Sequence, residues 1–357
     1  MRNNLPRVDV SILLFKTKPY LNDFIPSLFK IDYPKGKLRI YVINNESPDD
    51  SYEEFQKRCK GKDYFRFLNS GYNLGFAEGH NVTMRVGKGD YVFLLNPDGK
   101  ILPDTIMKLV RTMEKRKDVG LADGIQMPIV HHKGYDPKSL ETSWCSGACM
   151  MIRKKALADT GLFDGRFFMY SEDVDLSWRM WSKGWKCITI KDAKVVHYLE
   201  GDPRQKHKVG QISLNAFYRI VRNGLFIRYI YGSFADYLRF FITAAMLLSF
   251  KDYVISLLKF IVFLPILPFK VLLGKSPTRL KILLKSIVRK PFNLLPLFLK
   301  RFIRNIITGL TITTADRRVL VFKAMFEQFI FLQHLMIRKE LQMKNPSIKY
   351  VGQWENL

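Results

Sequence analysis

The chain has 357 residues and carries 58 Lys and Arg against 32 Asp and Glu, a formal charge of +26. Its apolar fraction of 47% is that of a packed protein, which excludes disorder as the main state. At about 100–200 residues per domain, the length predicts two domains, or one large domain with an appendage. The four cysteines, Cys59, Cys145, Cys149 and Cys187, make neither a disulfide framework nor paired zinc-ligand spacing, and read as buried free thiols in a reducing compartment.

In chain order, the apolar run at 8–15 is followed by Lys16 and Lys18 with no small-residue cleavage site behind it, so it reads as a first strand and not as a signal peptide. Further β-rich runs at 38–43, 64–68 and 91–95 alternate with helix-like segments at 20–29, 51–59 and 76–86. Such alternation predicts a parallel sheet with helices on both faces, and ligands gathered at the carboxyl ends of its strands. The polar, turn-rich stretches 44–50, 73–81 and 95–98 all fall at that edge.

The charge is unevenly spread. Residues 1–201 hold 32 basic and 25 acidic side chains (32 − 25 = +7), whereas 202–357 hold 26 and 7 (26 − 7 = +19). The apolar runs 240–250 and 260–269 in this basic part are far shorter than the ~20 residues of a spanning helix. Leu280, Leu283, Leu284, Ile287 and Val288 repeat with helical spacing while Lys281, Lys285 and Arg289 form another stripe; Leu299, Phe302, Ile303, Ile306 and Ile307 repeat the pattern. These stretches predict amphipathic helices on an anionic membrane surface, the alternative being helices packed on their own domain. Segment 253–269, interrupted by Lys259, Pro265 and Pro268, reads as an interfacial or re-entrant hairpin rather than a span. No RNA-binding strand motif or zinc-finger spacing is present, so nucleic acid is not an expected partner.

The edge loops, together with Ser146-Gly147-Ala148 and the run FFMYSEDVDLSWR at 167–179, resemble family 2 glycosyltransferases, in particular their bacterial rhamnosyltransferase-like branch. The resemblance covers 8–197 and rests on the joint order and spacing of four motifs. It implies an α/β GT-A catalytic domain over 1–205; the charge and amphipathic pattern described above imply a basic, largely helical membrane-associating region over 206–357 after it. The resemblance further implies a nucleotide-diphosphate sugar donor, dTDP- or UDP-linked, a divalent Mg2+ or Mn2+ ion, and inversion at the anomeric carbon.

Residue by residue, the resemblance assigns Asp98 to the metal, with Asn96 where many relatives carry a first Asp and His197 as a further ligand. A metal there would neutralise the departing diphosphate. Asp173 matches the general base that takes the acceptor hydroxyl proton, Glu172 is the fallback, and Asp175 is structural. Ser171 precedes them as a candidate N-cap. Asn44 and Asn45 fall in the nucleotide loop, where the Asn44 side-chain carbonyl can accept from a pyrimidine N3–H. Asn73, Gly75 and Gly79 match a glycine-rich loop that lets backbone approach nucleotide or diphosphate, and Gly147 is expected to line the sugar or acceptor pocket beside Trp144. The first-strand loop, Phe15-Lys16-Thr17-Lys18, departs from the family's small-polar pattern.

The function these features imply is transfer of rhamnose or a similar hexose to a lipid-linked saccharide acceptor, in building a surface polysaccharide at the cytoplasmic face of the plasma membrane. The competing reading, encouraged by Asn44, Asn96 and Lys16, is a non-catalytic membrane or nucleic-acid binder that keeps a transferase fold.

Overall fold

The computed structural model describes residues 4–128, 133–198 and 213–245, with further positions between 320 and 336. They belong to two compact units, one containing 4–198 and the other 213–245 and the positions at 320–336.

In the first unit, β1 (Val8–Leu14), β2 (Leu38–Asn44), β3 (Phe65–Asn69) and β4 (Tyr91–Leu95) alternate with α1 (Leu21–Phe29), α2 (Ser51–Cys59) and α3 (Gly75–Val86). These four strands pair in parallel, β1 lying between β2 and β4. The chain continues through β5 (Gly99–Ile101), α4 (Thr105–Lys115), β6 (Val119–Met127), β7 (Cys149–Arg153), α5 (Leu157–Thr160), α6 (Glu172–Ser182) and β8 (Lys186–His197). Together they form one sheet in the order β3-β2-β1-β4-β7-β6-β8-β5.

The expected all-parallel sheet is therefore corrected to a mixed one. β7 runs antiparallel to both β4 and β6, and β5 runs antiparallel to β8. The reversal has a local consequence. An antiparallel strand brings its entry loop to the edge where its neighbour ends, so Ser146-Gly147-Ala148 arrives beside the carboxyl end of β4. Leu95 pairs with Cys149, and the Asn96 N–H donates to the Ala148 carbonyl at 3.1 Å.

The period-2 alternation of a strand shows why β1 is central. Val8, Val10, Ile12 and Leu14 are fully buried on one face, in a core shared with Phe24 and Leu28 of α1, Phe55 of α2, and Ile106 and Leu109 of α4. Burying each such aliphatic side chain is worth ~1.5–3 kcal/mol. Asp9, Ser11 and Leu13 point to the other face, where α3 packs. Ser11 Oγ pairs there with His80 Nδ1 at 2.8 Å, and Asp9 accepts from the Gly89 N–H at 2.6 Å. Burial pulls the His80 imidazole down to about 3, so it packs as a neutral ring. All four cysteines are buried and free, as their spacing suggests.

In the second unit, α7 (Leu214–Tyr231) and α8 (Phe234–Ala245) pack through Phe217, Val221, Leu225, Phe240 and Phe241 with Val321, Ala324 and Met325. Ser213 caps α7 by accepting from the Ala216 N–H at 3.2 Å. The buried Arg222 pairs with Glu327 at 3.3 Å, and the Arg228 guanidinium lies 4.0 Å from the Phe240 ring centroid. Among the described residues no helix is long and apolar enough to cross a membrane. The amphipathic stretches at 280–289 and 299–307 and the segment 253–269 lie outside the described residues.

Candidate active site

Asp98 and His197 are brought together by strand pairing. The chain leaves β4, passes Asn96, Pro97 and Asp98, and enters β5, whose first residue Gly99 pairs with His197 at the end of β8. A Cβ on Gly99 would collide with the Val196 carbonyl, so only glycine lets β5 come this close. His197 Nε2 lies 3.2 Å from each Asp98 carboxylate oxygen and 3.3 Å from Asn96 Nδ2. Asp98 Oδ1 is buried and accepts no hydrogen bond, a state that costs ~1–3 kcal/mol unless something fills it. A carboxylate oxygen without a donor, facing an imidazole nitrogen, is a donor set that fits Mg2+ or Mn2+. Among the described residues no group of three or more His, Cys, Asp or Glu is gathered for a metal, so a bound ion would draw its remaining ligands from elsewhere.

The second carboxylate group sits at the start of α6, which the chain enters through left-handed backbone at Phe168 (φ 64°), Tyr170 (φ 70°) and Ser171 (φ 67°). Three non-glycine residues held there cost ~1–3 kcal/mol each, strain of the kind found at functional sites. Ser171 occupies the N-cap position but its side chain makes no capping bond, which corrects the expected cap; its left-handed backbone instead lets its carbonyl accept from the Asp175 N–H at 3.0 Å.

The three acidic residues then divide by environment. Asp175 is fully buried and paired with Arg179 at 2.8 Å, as the structural assignment expects. Glu172 is 4% exposed and its Oε2 accepts no hydrogen bond. Burial, reinforced by the Asp173 charge, pushes its carboxyl well above the usual carboxylate range. Asp173 accepts from the N–H groups of Gly147 at 3.1 Å and Val174 at 2.8 Å. Desolvation raises its carboxyl too, and those two donors pull against the rise. Neighbouring carboxylates resist double ionisation, and Asp173 is the better supplied with backbone donors for a negative charge, the Gly147 and Val174 N–H groups, where Glu172 has its own N–H. Of the pair, Glu172 is the more strongly pushed toward its protonated form, and Asp173 is the better held as an anion. Gly147 thus backs the candidate base.

The nucleotide-loop residues are gathered at the same sheet edge but are committed to one another. Asn45, 3% exposed, donates to Asn73 Oδ1 at 3.2 Å and accepts from the Leu74 N–H at 2.8 Å. Asn73 Oδ1 also accepts from the Gly75 N–H at 2.9 Å, and the Phe76 and Ala77 N–H groups donate to the Phe168 carbonyl at 2.6 and 3.0 Å. The first backbone donors of α3 are therefore spent. This corrects the physical basis of the glycine-loop expectation: the close approach is to the chain itself. At Gly75 (φ 73°) a Cβ would stand 2.6 Å from Phe168, and at Gly79 one would stand 2.6 Å from the Leu13 side chain. Asn44 Oδ1 accepts from the Ser47 N–H at 3.0 Å, so a pyrimidine would use its remaining lone pair. The irregular first-strand loop is tied to the second, the Lys16 N–H donating to Ser47 Oγ at 2.8 Å.

Sequence reading missed β6. Asp123 and Gln126 are buried polar residues in the otherwise closely packed strand VGLADGIQM, which is the signal that flags them. Asp123 accepts from the Ser146 N–H at 2.7 Å and from Thr189 Oγ1 at 2.8 Å, and is paired with the buried Lys133. Lys133 also donates to the Trp144 carbonyl at 2.7 Å and lies 5.1 Å from that ring's centroid.

Solved structures share this GT-A-like α/β fold with its mixed sheet. A mannosyltransferase from Pyrobaculum calidifontis in complex with GDP-Man and Mn2+ superposes with a TM-score of 0.53 at 15% identity, covering 92% of this chain and 89% of that one. GalNAc-T7 with UDP, GalNAc and Mn2+ gives 0.50 at 13% identity, over 62% of this chain and 48% of that one. Residues 9–175 match the model of Glycosyl transferase family 2, and 137–274 match that of Glycosyl transferase family group 2. Residues 9–175 thus carry a family 2 glycosyltransferase domain, and the chain is rhamnosyltransferase-like in sequence. The N-acetylglucosaminyl-diphospho-decaprenol L-rhamnosyltransferase of Mycobacterium tuberculosis is 27% identical over 244 residues, 56% of this chain and 77% of that enzyme. The rhamnosyltransferase WbbL of Escherichia coli is 26% identical over 180 residues, 40% of this chain and 67% of that enzyme.

Proposed function

We propose that the protein is a metal-dependent, inverting hexosyltransferase that moves rhamnose or a similar sugar from a dTDP- or UDP-linked donor to a lipid-linked saccharide. The observation that carries this reading is the unsatisfied Asp98 Oδ1 facing His197, at the sheet edge where Asp173 is held by two backbone donors. The mycobacterial relative, whose name specifies a decaprenol-linked acceptor and rhamnose transfer, supports the choice of sugar and acceptor.

Asp98 and His197 would hold the divalent ion beside Asn96, the donor phosphates and water completing its shell; once bound, the ion supplies the positive charge that lets the nucleoside diphosphate depart. Asp173 takes the proton of the acceptor hydroxyl as that oxygen attacks the anomeric carbon from the face opposite the leaving group, which inverts the centre. Burial raises its carboxyl, which makes it a stronger base than an ordinary aspartate, while the Gly147 and Val174 N–H groups favour its anion. Glu172, protonated, leaves Asp173 as the single charge of the pair.

The basic C-terminal part would hold this site against the anionic cytoplasmic face of the plasma membrane, where a lipid-linked acceptor resides. A donor screen tests the reading: purified protein is offered dTDP-, UDP- and GDP-sugars with and without Mn2+, and released nucleoside diphosphate is measured. Metal-dependent release from one nucleotide class supports it, and no release from any favours the non-catalytic alternative. Changing Lys281, Lys285 and Arg289 to Glu tests the membrane part: binding to anionic vesicles should fall while donor hydrolysis stays near wild type.

A further inference from the structure

Gln126 is 4% exposed and uses both ends of its amide. Its Nε2 donates to Ser146 Oγ at 2.8 Å, and its Oε1 lies 2.7 Å from His197 Nδ1. With the amide nitrogen spent on Ser146, the oxygen is what faces the imidazole. An amide oxygen only accepts, so Nδ1 must carry the proton. In the neutral ring Nε2 then carries the lone pair, which can accept from Asn96 Nδ2 at 3.3 Å and lies 3.2 Å from both Asp98 oxygens. The opposite end leads to the other half of the site. Ser146 is followed by Gly147, whose N–H donates to Asp173. One buried glutamine on β6 thus touches both the His197 side and the loop that backs the base.

We infer that Gln126 is a positioning residue that locks His197 as its Nδ1–H tautomer, leaves the Nε2 lone pair beside the Asp98 carboxylate so that the two can share a metal, and anchors the Ser146–Gly147 loop through the same amide. The ligand part rests on the proposed reading of Asp98 and His197 as metal-holding residues; the tautomer part does not. Histidines that bind metals need their second nitrogen held by an outer partner, and losing that partner typically costs 10–100-fold in metal affinity. The direction of the Gln126–Ser146 hydrogen bond sets the tautomer. If the Ser146 hydroxyl donated to Gln126 instead, the amide would turn round, the imidazole would take the other tautomer, and Nε2–H would point at Asp98.

The test uses the full chain labelled with [15N]histidine and no added metal. Long-range 1H–15N correlations, followed up in pH until the ring is neutral and with His197 assigned by its loss in His197→Asn, should show Nδ1 protonated and Nε2 without a proton in the wild type. Gln126→Leu should give a mixture of tautomers. An Nε2–H tautomer in the wild type overturns the inference whether or not metal binds. The second arm measures Mn2+ binding by the paramagnetic resonance of free Mn2+. Gln126→Leu should bind 10–100-fold more weakly and Gln126→Glu, which keeps an acceptor at Nδ1, within about threefold of wild type. Equal affinity of wild type and Gln126→Leu, or equal loss in both variants at unchanged thermal stability, overturns the positioning role. If the wild type binds no Mn2+, the metal reading itself fails, and the tautomer measurement alone decides whether Gln126 sets the ring.

Discussion

Two stretches of the same sheet edge differ in how their polar groups are spent. On the side of β2 and α3, Asn44, Asn45 and Asn73, the first donors of α3 and the Phe168 carbonyl satisfy one another within the chain. On the side of β4, β8 and α6, Asp98 Oδ1 and Glu172 Oε2 are buried without a hydrogen bond. Buried polar groups are almost always paired, so the first stretch reads as a scaffold and the second as the place where free energy is held for a ligand. A motif match marks both alike. The accounting of donors and acceptors separates them.

The contrast breaks most visibly at Asp98. Asp98→Ala should abolish metal-dependent sugar transfer, read as nucleoside diphosphate release with donor and acceptor present, while the thermal midpoint stays within a few degrees of wild type, because this carboxylate serves no core contact. Activity above a tenth of wild type would remove Asp98 from the metal assignment.

Asp173→Asn comes next. It keeps the side-chain size and removes the base, so transfer should fall by roughly 10² to 10⁴, the range of general base catalysis, with donor affinity retained. A larger loss for Glu172→Gln than for Asp173→Asn would reverse the division of roles between the two.

On the scaffold side the effect should appear as stability. Gly75→Ala places a Cβ at φ 73° against Phe168, and this strain should cost ~1–3 kcal/mol in denaturant unfolding. An unchanged midpoint would show that the α3 entry is looser than its contacts indicate.

The smallest effect sharpens the comparison through pH. Because burial beside Asp173 raises the Glu172 carboxyl, the folded chain keeps a proton that the unfolded chain releases. Stability therefore falls as pH rises from the ordinary carboxylate range toward the raised folded value. Glu172→Gln removes that contribution, so the variant should gain stability relative to wild type at pH 8 more than at pH 5 in parallel urea titrations. Identical pH dependence of the two proteins would mean that Glu172 is ionised in the folded state.

Much of this was legible in the residues. The alternation of apolar runs located the first four strands to within a residue or two, since strand burial demands that pattern whatever the partners. The motifs at 95–98 and 171–175 singled out Asp98 and Asp173 through the family resemblance, and three carboxylates so close together at 172, 173 and 175 are more than a helix start by itself calls for. His197 was found through family resemblance; one histidine at the end of a strand carries no pattern of its own.

What only the tertiary structure decided are the pairings between residues far apart in the chain. The antiparallel entry of β7 placed Gly147 under Asp173, and the close passage of β5 along β8, allowed by Gly99, set Asp98 against His197. Gln126 stayed hidden because its meaning lies in what its two amide ends touch, at residues 146 and 197. The sequence by itself determines which segments are strands and which side chains carry charge. Strand order and direction decide which of those charges meet, and with them how far each carboxyl is raised and which imidazole nitrogen faces Asp98, because those states depend on neighbours a few ångströms away and not on neighbours in the chain.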